Sequence, residues 1–345
     1  MRILLTLIVA ILTSHLCAQQ AGESTYRVMF YNVENLFDTK DDTLKNDDEF
    51  LTEGERHWDN HKFYKKLNNT AKVIISVGEW QVPAMVGLCE IENRYVLNQL
   101  VYETPLKNFG YSIIHRESPD WRGIDVAMLY RKELFTPDTF FIISVHFPFD
   151  PNSATRDILY VKGRLDDDTI HLFINHWPSR YGGYMETKPK REFVAGLVRH
   201  KVDSLFNENP ENKIIIMGDL NDGPTDESVS GVLKALPETV DSCCRLINLM
   251  AQYDADKSIG TLKYHENWDV FDQVIVSSSL LNDSTGLHIE EDKALIFKPD
   301  YLLEKDDRFM GEKPFRTFNG FDYNGGFSDH LPVYVDLIII GKNTN

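Results

Sequence analysis

Four short strings in this 345-residue chain gather side chains that can move a proton, hold a cation or grip an anion. The first, Ile216-Met217-Gly218-Asp219-Leu220-Asn221-Asp222-Gly223, ends an apolar run in a glycine, a carboxylate and, two residues on, an amide. Glycine before Asp219 lets the backbone turn sharply, so that Asp219 and Asn221 face one side; an ordinary acidic turn is the plain alternative. The second, Ser328-Asp329-His330-Leu331-Pro332, sets a metal-binding or orienting carboxylate beside a group that titrates near neutral pH. A solvated histidine near the chain end is the plain reading there. In the third, Ile174-Asn175-His176-Trp177-Pro178-Ser179-Arg180, a histidine and an arginine flank a rigid aromatic-proline turn. Imidazole and guanidinium together hold a phosphate and protonate a leaving oxygen, although Trp177 also reads as a core residue. The fourth, Cys89-Glu90-Ile91-Glu92-Asn93, ends an apolar run in an acid whose desolvation must be offset, which makes Glu90 a metal-ligand candidate. By strand alternation Glu92 points elsewhere, toward solvent.

Such groups suit in-line attack on a phosphate ester, which needs an aligned nucleophile, neutralised phosphoryl oxygens and help for the leaving oxygen. Oxygen-rich donors without a cysteine cluster select a hard ion rather than zinc. Arg122, Arg180 and Arg191 are candidate phosphate clamps, each with a solvated or structural role as its alternative. Asp125 is a candidate to orient His176.

The elements that must carry these residues are mostly strands. Tyr26 to Tyr31 runs into Asn32, Ala84 to Cys89 ends at Glu90, and Leu159 to Leu165 with Ile170 to Asn175 reads as a hairpin delivering His176. Lys213 to Met217 stops at Asp219, and Ile124 to Tyr130, Leu134 to Val145, Phe271 to Val276 and Pro332 to Ile339 complete the set. Apolar residues at helical spacing predict one helix near residues 60 to 78 and another through Val194, Leu197, Val198, Val202, Leu205 and Phe206, with a short helix from Tyr95 to Tyr102. The segments Asp38 to Asn60, Phe147 to Arg156, Ser179 to Arg191, Asp254 to Trp268 and Leu281 to Phe327 read as loops. Every chemical residue lies at an end of an apolar run, so one rim of a sheet sandwich can bring them together.

Composition is that of a soluble globular protein, 42% hydrophobic and 26% charged. Met1, Arg2 and the apolar run Ile3 to Leu12 are too short to span a bilayer and predict a cleaved export signal over residues 1–18, with a mature start at Gln19 and a secreted or periplasmic destination. Lipid attachment at Cys17 is the disfavoured alternative, because the small residues that precede a lipidated cysteine are missing. No later segment is long and apolar enough to span a membrane. Export leaves Cys89, Cys243 and Cys244, which is not a disulfide framework; Cys89 reads as a buried small hydrophobe, and Cys243 or Cys244 can pair. A formal net charge of -17 disfavours a metal-free nucleic-acid-binding module more than an enzyme, since bound cations reverse the field inside a carboxylate-lined cleft.

Taken in order, Tyr31-Asn32-Val33-Glu34-Asn35, Glu90, Asn175-His176, Gly218-Asp219-Leu220-Asn221, Phe271-Asp272-Gln273-Val274 and Ser328-Asp329-His330 resemble the motifs of the endonuclease/exonuclease/phosphatase superfamily. The string from Asn175 to Arg180, followed by Gly182 and Gly183, resembles its secreted bacterial branch. The resemblance covers almost the whole of residues 19–345 as a single catalytic domain. It implies an α+β fold, a four-layered α/β/β/α sandwich of two mixed β-sheets packed face to face with helices outside, and metal-assisted phosphodiester hydrolysis. It implies Glu90 as principal ligand of Mg²⁺ or Mn²⁺, with Ca²⁺ a further candidate, assisted by Asn32 and Asp329. It implies His330, oriented by Asp272, as the base for the attacking water and Asp219 as rival, Asp219 and Asn221 aligning water and phosphoryl oxygens, and His176 binding phosphate or protonating the leaving group. Asn175 joins the substrate contacts.

The expected partner is a phosphate-ester substrate, with nucleic acid favoured and no obligate protein partner. A sugar, inositol or sphingomyelin-type phosphate is the alternative, because substrate choice lives in the loops. A noncatalytic binding protein of the same fold would have lost some of Glu90, Asp219, Asn221, Asp329 and His330, and all are present.

Overall fold

The apolar runs form strands β1 Ser24–Leu36, β2 Met85–Ile91, β3 Tyr111–His115, β4 Asp125–Arg131, β5 Phe135–Ile143, β6 Ile158–Leu165, β7 Asp168–His176 and β8 Lys213–Asp219. The short β9 Ala235–Leu236, β10 Leu246–Asn248, β11 Leu262–Tyr264 and β12 Asn267–Asp269 precede β13 Asp272–Ser277, β14 Leu287–Ile289 and β15 Leu295–Ile296. Two small hairpins, β16 Leu303–Lys305 with β17 Glu312–Pro314 and β18 Phe318–Asn319 with β19 Asp322–Tyr323, lead to the last strand, β20 Val333–Ile339. The computed structural model describes residues 24–237, 244–281, 286–289 and 293–339. The expected export segment and the Cys243 half of the expected pairing lie outside the described residues.

Two mixed sheets result. One runs β14-β20-β1-β2-β4-β3 with β15 also beside β20, the other β5-β6-β7-β8-β13-β10-β9. Each holds a parallel pair at its centre, β1 with β2 and β7 with β8, and the second adds the short parallel pair β9 with β10 at its edge. Strand alternation sorts the apolar residues into three cores. Val28 and Phe30 of β1 meet Leu172 and Ile174 of β7 and Ile215 and Met217 of β8 between the sheets. Met29, Tyr31 and Val33 face outward onto helices α1 Asn60–Val77 and α2 Arg94–Tyr102. Ile214, Ile216 and Phe173 face the other way, onto helix α3 Tyr184–Glu208. Three apolar layers between four structural ones define the α/β/β/α sandwich expected from the sequence.

Helix α1 matches its expected span because its punctuation is strong. Asp59 accepts the N–H of Lys62 at 2.8 Å, and Phe63, Leu67, Thr70, Ile74 and Val77 are buried as the spacing requires. Helix α3 is longer than its apolar periodicity announces. It begins at Tyr184 and runs through Pro189, so half of the segment read as a loop is helical. Proline there forfeits one backbone hydrogen bond, and the buried Arg191 ties the start of the helix to the preceding turn by donating to the carbonyls of Tyr184 and Pro178.

Candidate active site

Strand register assembles the site. The parallel pairing of β7 and β8 sets His176 opposite Asp219, and the antiparallel pairing of β8 and β13 sets Asp219 opposite Asp272. In the other sheet Asn32 pairs with Cys89, one residue before Glu90. Gly218 is what allows this spacing. A Cβ there would lie 2.4 Å from the carbonyl oxygen of Asn175, so the residue is glycine for close approach of β7 to β8, whereas the sequence suggested a sharp turn.

Glu90 is displaced from its strand by a bulge. Its φ is +62°, the registers of β2 against β4 shift between Cys89 and Ile91, and those of β1 against β2 shift between Asn32 and Leu36. Its Oε2 accepts the backbone N–H of Asn35 at 2.8 Å. Its Oε1 stands 3.5 Å from Asn32 Nδ2, which donates to Asp219 Oδ2 at 3.1 Å. The same bulge breaks the alternation that pointed Glu92 to solvent: Glu92 is 6% exposed and accepts the N–H of Asp38.

Two imidazoles stand on either side of Asp219. His330 Nδ1 is 2.7 Å from Asp272 Oδ2, leaving Nε2 3.8 Å from Asp219 Oδ2. His176 Nε2 is 3.6 Å from the same oxygen and 3.9 Å from Glu90 Oε1. These gaps exceed hydrogen-bond length, the spacing of groups arranged around a third species rather than bonded to each other. Burial, followed by Arg156, Arg122 and His330, pushes His176 well below the usual histidine range. Its buried Nδ1 has no partner among the described residues, and its Nε2 faces the carboxylates of Asp219 and Glu90. Burial opposes charge on His330 as well, yet Asp272, Asp219 and Asp329 outweigh it and hold that ring well above the usual range. Asp219 is pushed up to about 7, by burial first and then by Asp272 and Glu90 against the relief of His330.

Asn221 lies beside them with its N–H on Asp219 Oδ1 at 3.0 Å and its side-chain amide on the carbonyl of Trp177 at 3.1 Å. Asp329 is bound by Arg316, which also grips Glu34, both at 2.9 Å. Glu34 in turn sits 3.6 Å from the buried Lys66 and takes the N–H of Thr317. Burial opposes ionisation of Asp329, but Arg316, His330 and Lys66 hold its carboxyl below the usual range.

The eight expected catalytic and metal-ligating residues thus share one rim, whereas three of the four expected substrate contacts are committed elsewhere. Arg191 is completely buried, 2.7 Å from Asp222, and cannot meet a phosphate. Arg180 is taken by Asp222, Asp226 and the carbonyl of Asn221, so it braces the turn after Asp219. Asn175 is fully buried and satisfied by Trp177 and the carbonyls of Phe173 and Met217. Asp125 bonds His115 and Ser118 rather than His176. Arg122 keeps a partly exposed guanidinium with a single, looser ion pair, 3.6 Å from Asp120. Sequence reading missed Arg156, which is buried between Asp120 and the carbonyl of Trp177, and the Lys66–Glu34–Arg316 network. Glu34 was visible inside the Asn32–Asn35 string; nothing local marked Arg156, Arg316 or Lys66.

Two hollows flank the rim. One of about 560 Å³, against Pro178 and Ser179, is lined by Asp120, Arg122, Arg156, Lys190, Trp121 and Tyr181, and one of about 210 Å³ lies against Glu34, Asn35 and Arg316.

A four-layered sandwich with carboxylates, amides and paired imidazoles on one rim is the architecture of a phosphate-ester hydrolase. The chain belongs to the endonuclease/exonuclease/phosphatase family, whose sequence profile matches residues 27–338. Among solved structures it is similar to the mannosyl-6-phosphatase Bt3783 of Bacteroides thetaiotaomicron VPI-5482, at 17% identity and a TM-score of 0.56 over 90% of this chain and 99% of that one. It is similar to truncated TDP2 of Caenorhabditis elegans, at 17% identity and a TM-score of 0.54 over 91% and 97%. The human Nocturnin catalytic domain aligns at 15% identity and a TM-score of 0.53 over 92% and 96%. No protein of curated function matches the sequence.

Proposed function

We propose that this protein is a divalent-metal-dependent phosphodiesterase acting on nucleic acid. The observation that carries the reading is Asp219 placed between a neutral and a charged imidazole, with Glu90 and Asn32 within reach of the same point. Four carboxylates, Glu90, Asp219, Asp272 and Asp329, gather there, with the charged His330 on Asp272 and Arg316 on Asp329 as side-chain cations bonded to them. Such an oxygen-rich, under-neutralised set fits a hard divalent ion on Glu90, Asn32 and Asp329. When bound, that ion supplies positive charge to the phosphoryl oxygens and offsets the carboxylate field that lifts His330.

The side chains then divide the work. Asp272 fixes the Nδ1–H of His330, so Nε2 faces Asp219 and takes the proton of the attacking water. Asn221 and Asp219 align that water. His176, neutral with Nε2 directed into the site, suits a hydrogen-bond donor to a phosphoryl oxygen better than a proton store. The larger hollow lies against Pro178 and Ser179, just after His176 and Trp177 in the chain, and there Arg122, Arg156 and Lys190 stand beside Asp120 and bring positive charge to an otherwise acidic protein. Trp121 and Tyr181, 57% and 93% exposed at the rim of that hollow, offer stacking faces, which favours a nucleotide.

A second reading, hydrolysis of a sugar phosphate, draws on the similarity to a mannosyl-6-phosphatase. A panel separates the two: protein with Mg²⁺, Mn²⁺ or chelator, offered DNA, RNA, bis(p-nitrophenyl) phosphate, mannose 6-phosphate and sphingomyelin. Turnover of nucleic acid that disappears in H330A and E90Q supports the proposal; turnover confined to the sugar phosphate selects the alternative, and undiminished activity in both variants overturns the site. Export belongs to the same reading, and N-terminal sequencing of the protein from its native host should begin at or near Gln19.

A further inference from the structure

The segment leaving β1 places six carboxylates together without a protein cation. Asp38, Asp41, Asp42, Asp47 and Asp48 follow one another within eleven residues, and Glu92 reaches them from the end of β2. Carboxylate oxygens of Asp41, Asp47 and Asp48 lie within 4.8 Å of one another. Among the described residues none of the six is in an ion pair. The two lysines of the segment point away: Lys45 donates to the carbonyls of Ser118 and Asp120, and Lys40 lies over the ring of Tyr95.

Asp47 is the second and independent sign. It is 2% exposed, one carboxylate oxygen accepts the N–H of Asp42, and the other is buried with no donor among the described residues. It precedes the short 3-10 turn Asp48–Phe50 but does not cap it, so its side chain is not spent on that turn. An ionised oxygen buried beside other carboxylates and bonded to nothing is costly unless a cation lies against it.

We infer that this loop is a second divalent-cation site, distinct from the catalytic rim, and that its ligand is Ca²⁺. Oxygens bound to one Ca²⁺ at about 2.3–2.6 Å can stand up to about 5 Å apart, as those of Asp41, Asp47 and Asp48 do. Asp41 and Asp48 are exposed, leaving room for the waters that complete a flexible, high-number shell, which Mg²⁺ accommodates poorly. The role is positional. Asp38 bonds Glu92, Glu92 lies two residues beyond the Glu90 bulge, and Asn35 bonds Glu90 itself, so an ion here clamps the two strand ends that present the catalytic carboxylate.

The test is thermal unfolding and calorimetry with Ca²⁺ alone on the full chain carrying E90Q, which removes the principal ligand of the catalytic rim. Saturating Ca²⁺ should raise Tm by about 5 °C in E90Q, and adding D47N should abolish both that rise and the calorimetric signal. In chelator, D47N should be no less stable than its parent, because it removes a like charge. The inference fails if E90Q shows no Ca²⁺-dependent shift, if D47N retains it, or if D47N is destabilised in chelator, which would mark Asp47 as an ordinary structural group. None of these results bears on hydrolysis, so the catalytic proposal stands or falls separately.

Discussion

Asp272→Asn is the sharpest perturbation of the proposed chemistry. Asp272 is completely buried, its Oδ2 lies 2.7 Å from His330 Nδ1, and its Oδ1 has no donor, so its one evident task is to hold and charge that ring. Asparagine keeps the shape and removes the charge. A hydrogen bond to a charged group is worth about 1.5–3 kcal/mol, and RT converts that to roughly 10- to 150-fold. An amide that turns its NH₂ to the ring also forces Nδ1 to accept, which moves the ring proton onto Nε2 and disables the base; a positioned base contributes about 10²–10⁴-fold. The expectation is a fall in kcat of about two to three orders of magnitude with KM little changed.

A pH profile adds a sign. Asp272 is the foremost charge holding His330 up, so its loss lowers the His330 pKa, and the acid limb of kcat/KM, where the base must lose its proton, moves to lower pH. Steady-state kinetics on bis(p-nitrophenyl) phosphate from pH 5 to 9, for D272N, H330A and the double variant, measures both effects. Because the residues act as a unit, the double variant should be no worse than H330A. Activity in D272N within fivefold of the parent, or additive losses in the double variant, would refute the pairing.

Other consequences are reached more briefly. Arg156→Ala removes one of two guanidinium charges that depress His176 and leaves Asp120 without its 3.0 Å partner, so the His176 pKa should rise by NMR titration and stability should drop by about 3–5 kcal/mol, as for a broken buried pair. Gly218→Ala should cost about 1–3 kcal/mol and lower kcat, since the new methyl forces β7 and β8 apart between His176 and Asp219; chemical denaturation checks the first and turnover the second. Asp306 is held down to about 2: burial works against its charge, but Lys263 and the N–H groups of Phe309 and Arg308 outweigh it. Its folded pKa is depressed, so its stabilisation, about 2 kcal/mol by linkage, is complete above roughly pH 4 and fades as pH falls through 2. D306N should therefore lose most of that stability at neutral pH and flatten the acid branch of a Tm-against-pH curve.

What was legible in the sequence was whatever a single strand or helix reports about itself. Runs ending at His176 and Asp219 announced strand ends, those reaching Asn32 and Glu90 announced strands that continue to Leu36 and Ile91, and buried Phe63, Leu67 and Ile74 announced α1. What stayed hidden depended on departures from regular geometry or on distant partners. Cys89 packs between the sheets, yet Ile91 packs with Leu88 toward the helices, because the left-handed Glu90 inserts an extra residue. Simple alternation therefore misplaced Glu92. Arg180 and Arg191 looked like phosphate clamps because their neighbourhood is chemical, but Asp222, read only as part of a turn, binds both. Lys66 and Thr317 are separated by 251 residues, and no local pattern could have joined them.

The division between rim and scaffold follows from charge. Asp222 is buried and fully answered by Arg180, Arg191 and Ser228, and such a group is static. Glu90, Asp219 and Asp272 are nearly as enclosed, yet apart from His330 they are answered only by amides and backbone N–H groups. Burial first, and then repulsion from Asp272 and Glu90, elevates Asp219, and the carboxylate field raises His330, so the rim is held in a state that positive charge from outside would relieve. Retaining that strain on three neighbouring strand ends is destabilising for a scaffold but favourable for a site that must draw in a cation and, through it, an anionic ester. The arginines braced behind Asp222 keep the rim from relaxing, and for that reason removing Arg191 should loosen the protein and the site together, whereas removing Arg122, paired among the described residues with Asp120, should leave stability nearly unchanged while weakening substrate affinity and raising the His176 pKa.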